Sequence, residues 1–195
     1  MQLENIPMNK LERDFYRKDA LTLAPALLGK VLVHDAEGIV TSGVIVETEA
    51  YVGPEDKAAH TYMNRRTART EVVFGDGGYA YIYLVYGMHH CFNVTANVAG
   101  KPECVLVRAL EPLDGIDAMT ERRKCVKLEA LCSGPGRLCE AMGITRELYG
   151  EDLCGERLYI VGGTRSFGVE ASPRIGIDYA EEYKDVCWRF CAVKK

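Results

Sequence analysis

The sequence lacks the features of a membrane protein and of a secreted, disulfide-bonded scaffold. No window approaches 18 uncharged apolar residues, so we expect no membrane-spanning helix. The first 19 residues are polar, without the apolar core of a signal peptide, and eight cysteines among 195 residues are too few for a disulfide framework. We therefore expect a cytoplasmic protein that holds its core without disulfides.

Motifs that bind a cofactor or a metal ion are also missing. There is no Gly-Lys-Ser/Thr phosphate loop and no glycine fingerprint for a dinucleotide. Cys187 and Cys191 have no second Cys or His pair at zinc-finger distance, and His89 and His90 point to opposite faces of a strand. Three further cysteines are spaced seven residues apart, which is typical of a helix core: Cys125, Cys132 and Cys139. We expect neither a metal nor a cofactor.

The arrangement of predicted strands and helices favours an α+β fold. The length and the absence of a linker or an internal repeat predict a single domain over residues 1–195. Hairpins are predicted at residues 30–50, around a turn at 35–38, and at residues 79–96, around Tyr86-Gly87; further strands are predicted at 104–110, 174–178 and 187–193, and helices at 22–29, 116–127 and 134–143. Because the helices precede and follow the hairpins, we expect a mainly antiparallel sheet.

The helix at residues 22–29 has recognisable boundary signals. Thr22 can cap its N-terminus, Pro25 would fall in its first turn, and Gly29 can end it.

Two acidic residues share a face of the strand within residues 39–50. Strand alternation places Glu47 and Glu49 on the same side as Ile45 and Tyr51. A solvated strand face would explain this pattern. A general base would also fit, because an acid at the end of a buried strand acquires a raised pKa. Glu49 is the better candidate for such a base because it lies nearer the end of the strand.

Arg108 interrupts the apolar run at residues 105–110, which is typical of a strand covered on both faces. A buried guanidinium needs a partner. Either it forms a structural ion pair, or it orients a water molecule or a carboxylate in a site.

A basic segment at residues 57–70 stands out in an acidic chain. It contains four cations and no acid, a local charge of +4 against a total of −4. The total argues against a wholly basic surface, yet this segment could dock a phosphate backbone. A solvated loop is the alternative, and core packing is the alternative for the nearby tyrosines at 79, 81 and 83. Tyr86, at the predicted hairpin tip, would suit a wedge that stacks on bases.

Several blocks together resemble the alkyladenine (3-methyladenine) DNA glycosylase family. They occur in the family's order along nearly the whole chain: ETEAY (47–51), GPED (53–56), AAH (58–60), RTART (66–70), YIYLVYGM (81–88), VRALEP (107–112), SGPGRLC (133–139) and RIGI (174–177). The resemblance implies a single domain with a curved sheet, surrounding helices and a protruding β-hairpin. It also implies a monomeric, monofunctional enzyme, without cofactor or metal, whose partner is double-stranded DNA containing damaged purines. That partner implies association with the nucleoid.

The resemblance assigns roles to individual residues. Glu49 matches the general base that activates water, and Arg108 matches the arginine that holds that water and the glutamate. Tyr51, His60 and Tyr83 match the residues that enclose the flipped base: the two tyrosines stack on it and His60 forms a hydrogen bond with it. Asn93 matches the residue that crowds the 2-amino group of a guanine in the pocket. Tyr86 matches the side chain that fills the gap in the helix, and Arg65, Thr67 and Arg69 lie where the family contacts phosphates.

The chain departs from the family pattern in two places. Ala68 stands where a proline is expected in the basic loop, and residues 191–195 lack the expected Asn/Ser-Pro tail segment.

Two other functions fit parts of the pattern. The same pocket could bind lesions without catalysis. Alternatively, Glu47 and Glu49, about 7 Å apart on one strand face, could form the acid/base pair of a hydrolase acting on free nucleosides or glycosides. That second reading leaves Tyr86 and the basic loop without a role.

Overall fold

The computed structural model describes residues 9–163 and 167–193. Within them the helices are α1 (Arg13–Tyr16), α2 (Ala20–Leu27), α3 (Ile116–Arg123), α4 (Leu128–Leu131) and α5 (Pro135–Met142). The strands are β1 (Val31–Ala36), β2 (Ile39–Tyr51), β3 (Ala80–Val85), β4 (His89–Ala96), β5 (Glu103–Asp114), β6 (Leu158–Val161), β7 (Gly168–Ser172) and β8 (Arg189–Val193). Short 3-10 segments lie at Tyr62–Asn64, Glu71–Phe74, Arg146–Leu148 and Asp178–Lys184.

The strands form one antiparallel sheet, which confirms the α+β expectation. Its order is β3-β4-β5-β2-β1-β6, with β8 beside β2 and β7 beside β8. The 13-residue strand β2 lies at the centre of the sheet. Strand β5 pairs with one edge of β2; on the other edge, β1 pairs with its N-terminal half and β8 with its C-terminal half. The C-terminal half of β2, with Glu49, therefore lies between two strands.

The two faces of this sheet have different contents. On one face, α2 and α5 pack over a hydrophobic core that includes Ala50, Phe92, Val105 and Val107. On the other face, cross-strand register aligns five residues in a row: Tyr81, Asn93, Leu106, Glu49 and Arg189. Since opposite residues in antiparallel strands point to the same side, polar and aromatic groups gather on the face that the helices leave open.

The predicted hairpin at residues 79–96 is confirmed, and its tip is Tyr86-Gly87. Both residues have positive φ, 52° and 70°, and the Met88 N–H donates to the Val85 carbonyl at 3.2 Å. Such a two-residue turn matches the twist of its strands. Glycine adopts positive φ freely, whereas tyrosine is strained there. The hairpin thus presents a strained tyrosine whose surface is 91% exposed.

The helix predicted at residues 22–29 begins earlier than its signals indicated. α2 starts at Ala20, and Asp19 rather than Thr22 caps it, accepting the Thr22 N–H at 2.9 Å. Pro25 consequently lies inside the helix and not in its first turn. The helix predicted at 116–127 ends at Arg123, because Lys124 takes a left-handed conformation with φ 47°.

The strand predicted at residues 174–178 is wrong. Ile175 donates its N–H to Glu49 and Gly176 has φ 76°, so the backbone serves a side chain instead of a neighbouring strand. Strands β6 and β7 have no counterpart in the sequence prediction.

The polar residues 1–8 and the last two residues of the altered tail lie outside the described residues. None of the helices described is both long and apolar enough to cross a membrane.

Candidate active site

A cavity of about 380 Å³ lies on the open face of the sheet. The wall includes seven side chains that the sequence analysis singled out: Tyr51, His60, Arg69, Tyr83, Tyr86, Asn93 and Arg108. They come from β2, β3, β4, β5, the hairpin tip and the loop after β2. The antiparallel register brings them together, because β3, β4, β5 and β2 are consecutive neighbours in the sheet.

Glu49 is fully buried beside this cavity and is held by three donors. The Tyr51 hydroxyl donates to its Oε2 at 2.9 Å, the Ile175 N–H donates to Oε1 at 2.9 Å, and Arg108 Nη1 lies 3.3 Å from Oε1. Glu49 itself is not among the residues that line the cavity, whereas its three partners are. The carboxylate therefore meets the cavity through Tyr51, Arg108 and Ile175.

Burial sets the acidity of Glu49. Desolvation raises the pKa of its carboxyl, and the positive charge of Arg108, the Ile175 N–H and the Tyr51 hydroxyl oppose that rise. A carboxylate with a raised pKa is a stronger proton acceptor than an exposed one. The surrounding donors can stabilise its ionised form.

Arg108 connects Glu49 with Glu47. Its Nε donates to Glu47 Oε1 at 3.2 Å, and Glu47 Oε1 also accepts from Arg189 Nη1 at 2.8 Å. Glu47 is thus held by two guanidinium groups and is not among the residues that line the cavity. The apolar residues around Arg108 in β5 are buried on both faces of the strand, as predicted for residues 105–110, and Arg108 itself lines the cavity.

Aromatic rings form the walls. His60 and Tyr83 meet edge to face with centroids 4.7 Å apart, and His60 Nδ1 lies 2.8 Å from the Tyr81 hydroxyl. Burial, together with the charges of Arg69 and Arg65, lowers the pKa of His60 to about 4. His60 is therefore a neutral ring at pH 7, suited to hydrogen bonding and not to charge. The buried Asn93 amide donates to the Tyr81 carbonyl at 3.1 Å.

Arg69, which the resemblance assigns to a phosphate contact, lies beside the cavity. Its guanidinium carbon lies 4.8 Å from the centre of the Tyr83 ring, and Nη2 lies 3.1 Å from His60 Nε2. The guanidinium lies against the cavity wall, yet Arg69 is exposed and also lines a neighbouring cavity with Arg65 and Thr67, so its contact with phosphate stays a prediction.

The basic segment is less positive than the sequence suggests. Lys57 is held by Glu181 and Glu182 at 2.6 and 2.9 Å, and Arg66 is held by Glu71. Among residues 9–163 and 167–193, no carboxylate pairs with Arg65. Arg65 and Thr67 line a second cavity of about 290 Å³ next to the first.

The sequence analysis did not assign a role to Asp56 or Arg174. Two hydrogen bonds, of 2.6 and 2.8 Å, join these fully buried side chains, and Arg174 also donates to the Ala50 carbonyl. The guanidinium lies between the rings of Tyr51 and Trp188, 4.7 and 5.0 Å from their centres. Both residues fall in the blocks that carry the resemblance, and their opposite charges were the available signal.

No metal site is evident among the described residues. They contain no group of three or more His, Cys, Asp and Glu side chains that could hold an ion. Cys132 and Cys139 are buried in the core, as their spacing predicted.

The family model described as methylpurine-DNA glycosylase matches residues 14–195. A protein of Clostridium acetobutylicum is 51% identical over 190 residues, which is 93% of each chain. One from Desulfitobacterium hafniense is 48% identical over 192 residues, 94% of this chain and 95% of that protein. One from Bacillus cereus is 49% identical over 188 residues, 90% and 92% of the two chains. All three carry the name "Putative 3-methyladenine DNA glycosylase".

Proposed function

This chain belongs to the methylpurine-DNA glycosylase family, and on that premise we propose that it excises damaged purines from duplex DNA. The substrates would be alkylated or deaminated bases of the 3-methyladenine, 7-methylguanine, hypoxanthine and ethenoadenine class. The observation that carries the proposal is the buried, three-donor Glu49 behind an aromatic cavity.

The cavity would receive a base flipped out of the helix. Flipping costs a few kcal/mol of stacking and pairing, and damaged bases flip more cheaply. Tyr51 and Tyr83 supply stacking surfaces and His60 supplies a neutral hydrogen-bonding ring. The exposed Tyr86 would enter the gap in the base stack.

Glu49 would act on the attacking water. As the bond between C1′ and the base nitrogen breaks, its electrons leave with the base, and the sugar gains oxocarbenium character. The water oxygen bonds to C1′ and its proton passes to Glu49, with Arg108 holding the carboxylate. The ionised Glu49 also stabilises the positive sugar. An alkylated purine is already cationic and leaves without a proton, whereas hypoxanthine must be protonated.

Water, and not an amine, would be the nucleophile. Within the described chain, no lysine lines the cavity. Lys57 lies in a neighbouring cavity, and its hydrogen bonds to Glu181 and Glu182 raise the pKa of its amine, which keeps it protonated. We therefore expect an intact strand with an abasic site.

Contacts to phosphate would come from Arg65 and Thr67 on the rim of the second cavity, and we propose that the protein acts as a monomer. The alternative hydrolase with Glu47 and Glu49 as an acid/base pair has less support, because two guanidinium groups, of Arg108 and Arg189, hold Glu47 as an ion-paired carboxylate.

A base-release assay tests the proposal. Duplexes that carry each of the four lesions are incubated with the protein, and the released bases are quantified with and without hot alkali. We expect release by the wild type and strand breaks only after alkali. Lesion binding without release would support the alternative of a protein that binds lesions without catalysis. Borohydride trapping of a covalent adduct would show that an amine, and not water, attacks the sugar.

A further inference from the structure

Arg69 is the one cavity-facing charge without a neutralising partner in the part of the chain that the structure describes. Three carboxylates and three guanidinium groups pair with one another beside the cavity: Glu47, Glu49, Asp56, Arg108, Arg174 and Arg189. These six charges sum to zero. Arg69 lines the same cavity and contacts His60, Tyr81 and Tyr83, none of which is an acid that would neutralise it, so it gives the base pocket a net positive charge.

The position of this charge matters for a bound base. A purine stacked against Tyr83 would lie beside a guanidinium that is 4.8 Å from the centre of that ring. Two cations this close repel each other, because a partly buried site screens charge much less than water. After burial, the charge of Arg69 is the next cause that lowers the pKa of His60. The same charge opposes the rise that burial causes in the pKa values of Tyr81 and Tyr83, so it acts on groups on several sides of the cavity.

The guanidinium also has donors to offer. Its planar N–H groups match paired acceptors at O6 and N7 of a purine, the same pattern by which arginine reads guanine. Hypoxanthine carries both acceptors and is neutral when it enters the pocket. The proton that its departure requires would go to N3, which this pair of hydrogen bonds leaves free. In 7-methylguanine the methyl group blocks N7 and the ring is cationic.

We propose that Arg69 is a specificity-determining residue, which favours neutral purines with acceptors at O6 and N7 over purines that alkylation has made cationic. This inference rests on the proposed glycosylase function.

Single-turnover base release provides the test. Matched duplexes carry hypoxanthine or 7-methylguanine at one position, and the ratio of the two rates is measured for wild type, Arg69→Gln, Arg69→Lys and the control Arg65→Gln. For Arg69→Gln we expect the ratio to shift toward 7-methylguanine by about tenfold or more, since one nearby charge is removed. Arg69→Lys keeps the charge and loses the planar fork, so we expect hypoxanthine release to fall while 7-methylguanine release stays low.

Arg65→Gln removes a loop cation that does not line the base cavity, so both rates should fall together and their ratio should hold. The proposal is overturned if Arg69→Gln lowers both rates and the affinity for undamaged DNA equally, because that pattern marks a phosphate contact. An unchanged ratio at full rates overturns it as well. Release of neither base by the wild type would instead refute the glycosylase function itself, and with it this inference.

Discussion

The Tyr51 hydroxyl donates to Glu49 Oε2 at 2.9 Å, from a position two residues further along the same strand. Strand alternation places the two side chains on one face. A ring that would stack on the flipped base therefore also holds the carboxylate that would activate water. In the proposed function, this one hydrogen bond would couple base binding to catalysis.

Replacing Glu49 should separate binding from catalysis. For Glu49→Gln we expect base release to fall by at least about 100-fold, since a general base is removed, while affinity for lesion DNA stays within a few fold because the shape is kept. Glu47→Gln is the matched control on the same strand. Its base release should fall much less, because the proposed role of Glu47 is limited to pairing with Arg108 and Arg189. A loss confined to Glu47→Gln would reassign the base.

Arg108 should control the pH dependence of release. The pKa of Glu49 is raised by burial and held back by Arg108, and a general base works when ionised, so release should increase as pH rises through that pKa. Arg108→Met should move this acid limb to higher pH, because the positive charge that opposes the rise in the Glu49 pKa is lost. The measurement uses 7-methylguanine, whose departure needs no proton. Arg108→Lys keeps the charge, so its acid limb should lie near that of the wild type. If the acid limb does not move in Arg108→Met, the group that titrates is not one that Arg108 influences.

Tyr86 should contribute to lesion binding and hardly to folding. Its ring is 91% exposed, so Tyr86→Ala should leave the thermal unfolding midpoint almost unchanged. Affinity for lesion duplexes, measured by fluorescence anisotropy, should weaken by roughly 1 to 3 kcal/mol, the scale of a lost stacking contact. Tyr86→Phe keeps the ring and should bind like the wild type. Equal affinity of the Ala variant would exclude a wedge.

Arg65 and its neighbour Arg66 should differ in their effect on DNA affinity. Arg66 is held by Glu71, whereas Arg65 has no carboxylate partner in the described residues. Arg65→Ala should weaken binding to damaged and undamaged DNA alike and lower the salt slope by about one unit. Arg66→Ala should have a smaller effect on both quantities. Loss limited to damaged DNA would place Arg65 in base recognition.

The buried pair of Asp56 and Arg174 should be important for stability. Both side chains are fully buried, and Arg174→Met would leave a buried carboxylate without its cation. We expect a loss of about 3 to 5 kcal/mol in the free energy of unfolding, measured with urea. The double variant with Asp56→Asn should recover part of that loss. Additive losses in the double variant would argue against coupling of the pair.

Local signals in the sequence were enough for the elements that nearest neighbours specify. The hairpin tip at Tyr86-Gly87 follows from β-branched and aromatic runs on either side of a glycine. The alternation that puts Glu49 and Tyr51 on one face follows from the period of a strand. The resemblance added roles for these residues, and the structure gathers seven of the proposed site residues around one cavity.

Contacts between distant segments required the tertiary structure. Ile175 lies 126 positions after the carboxylate to which it donates, and satisfying that carboxylate is the reason that residues 174–178 do not form the predicted strand. Pairing with Glu71, Glu181 and Glu182 removed two of the four expected cations from the basic segment. Sequence alone determined which side chains share a strand face. Only the packed chain decided which charges are neutralised and that Arg69 faces the base pocket, because charge pairing depends on distances between segments that no local pattern encodes.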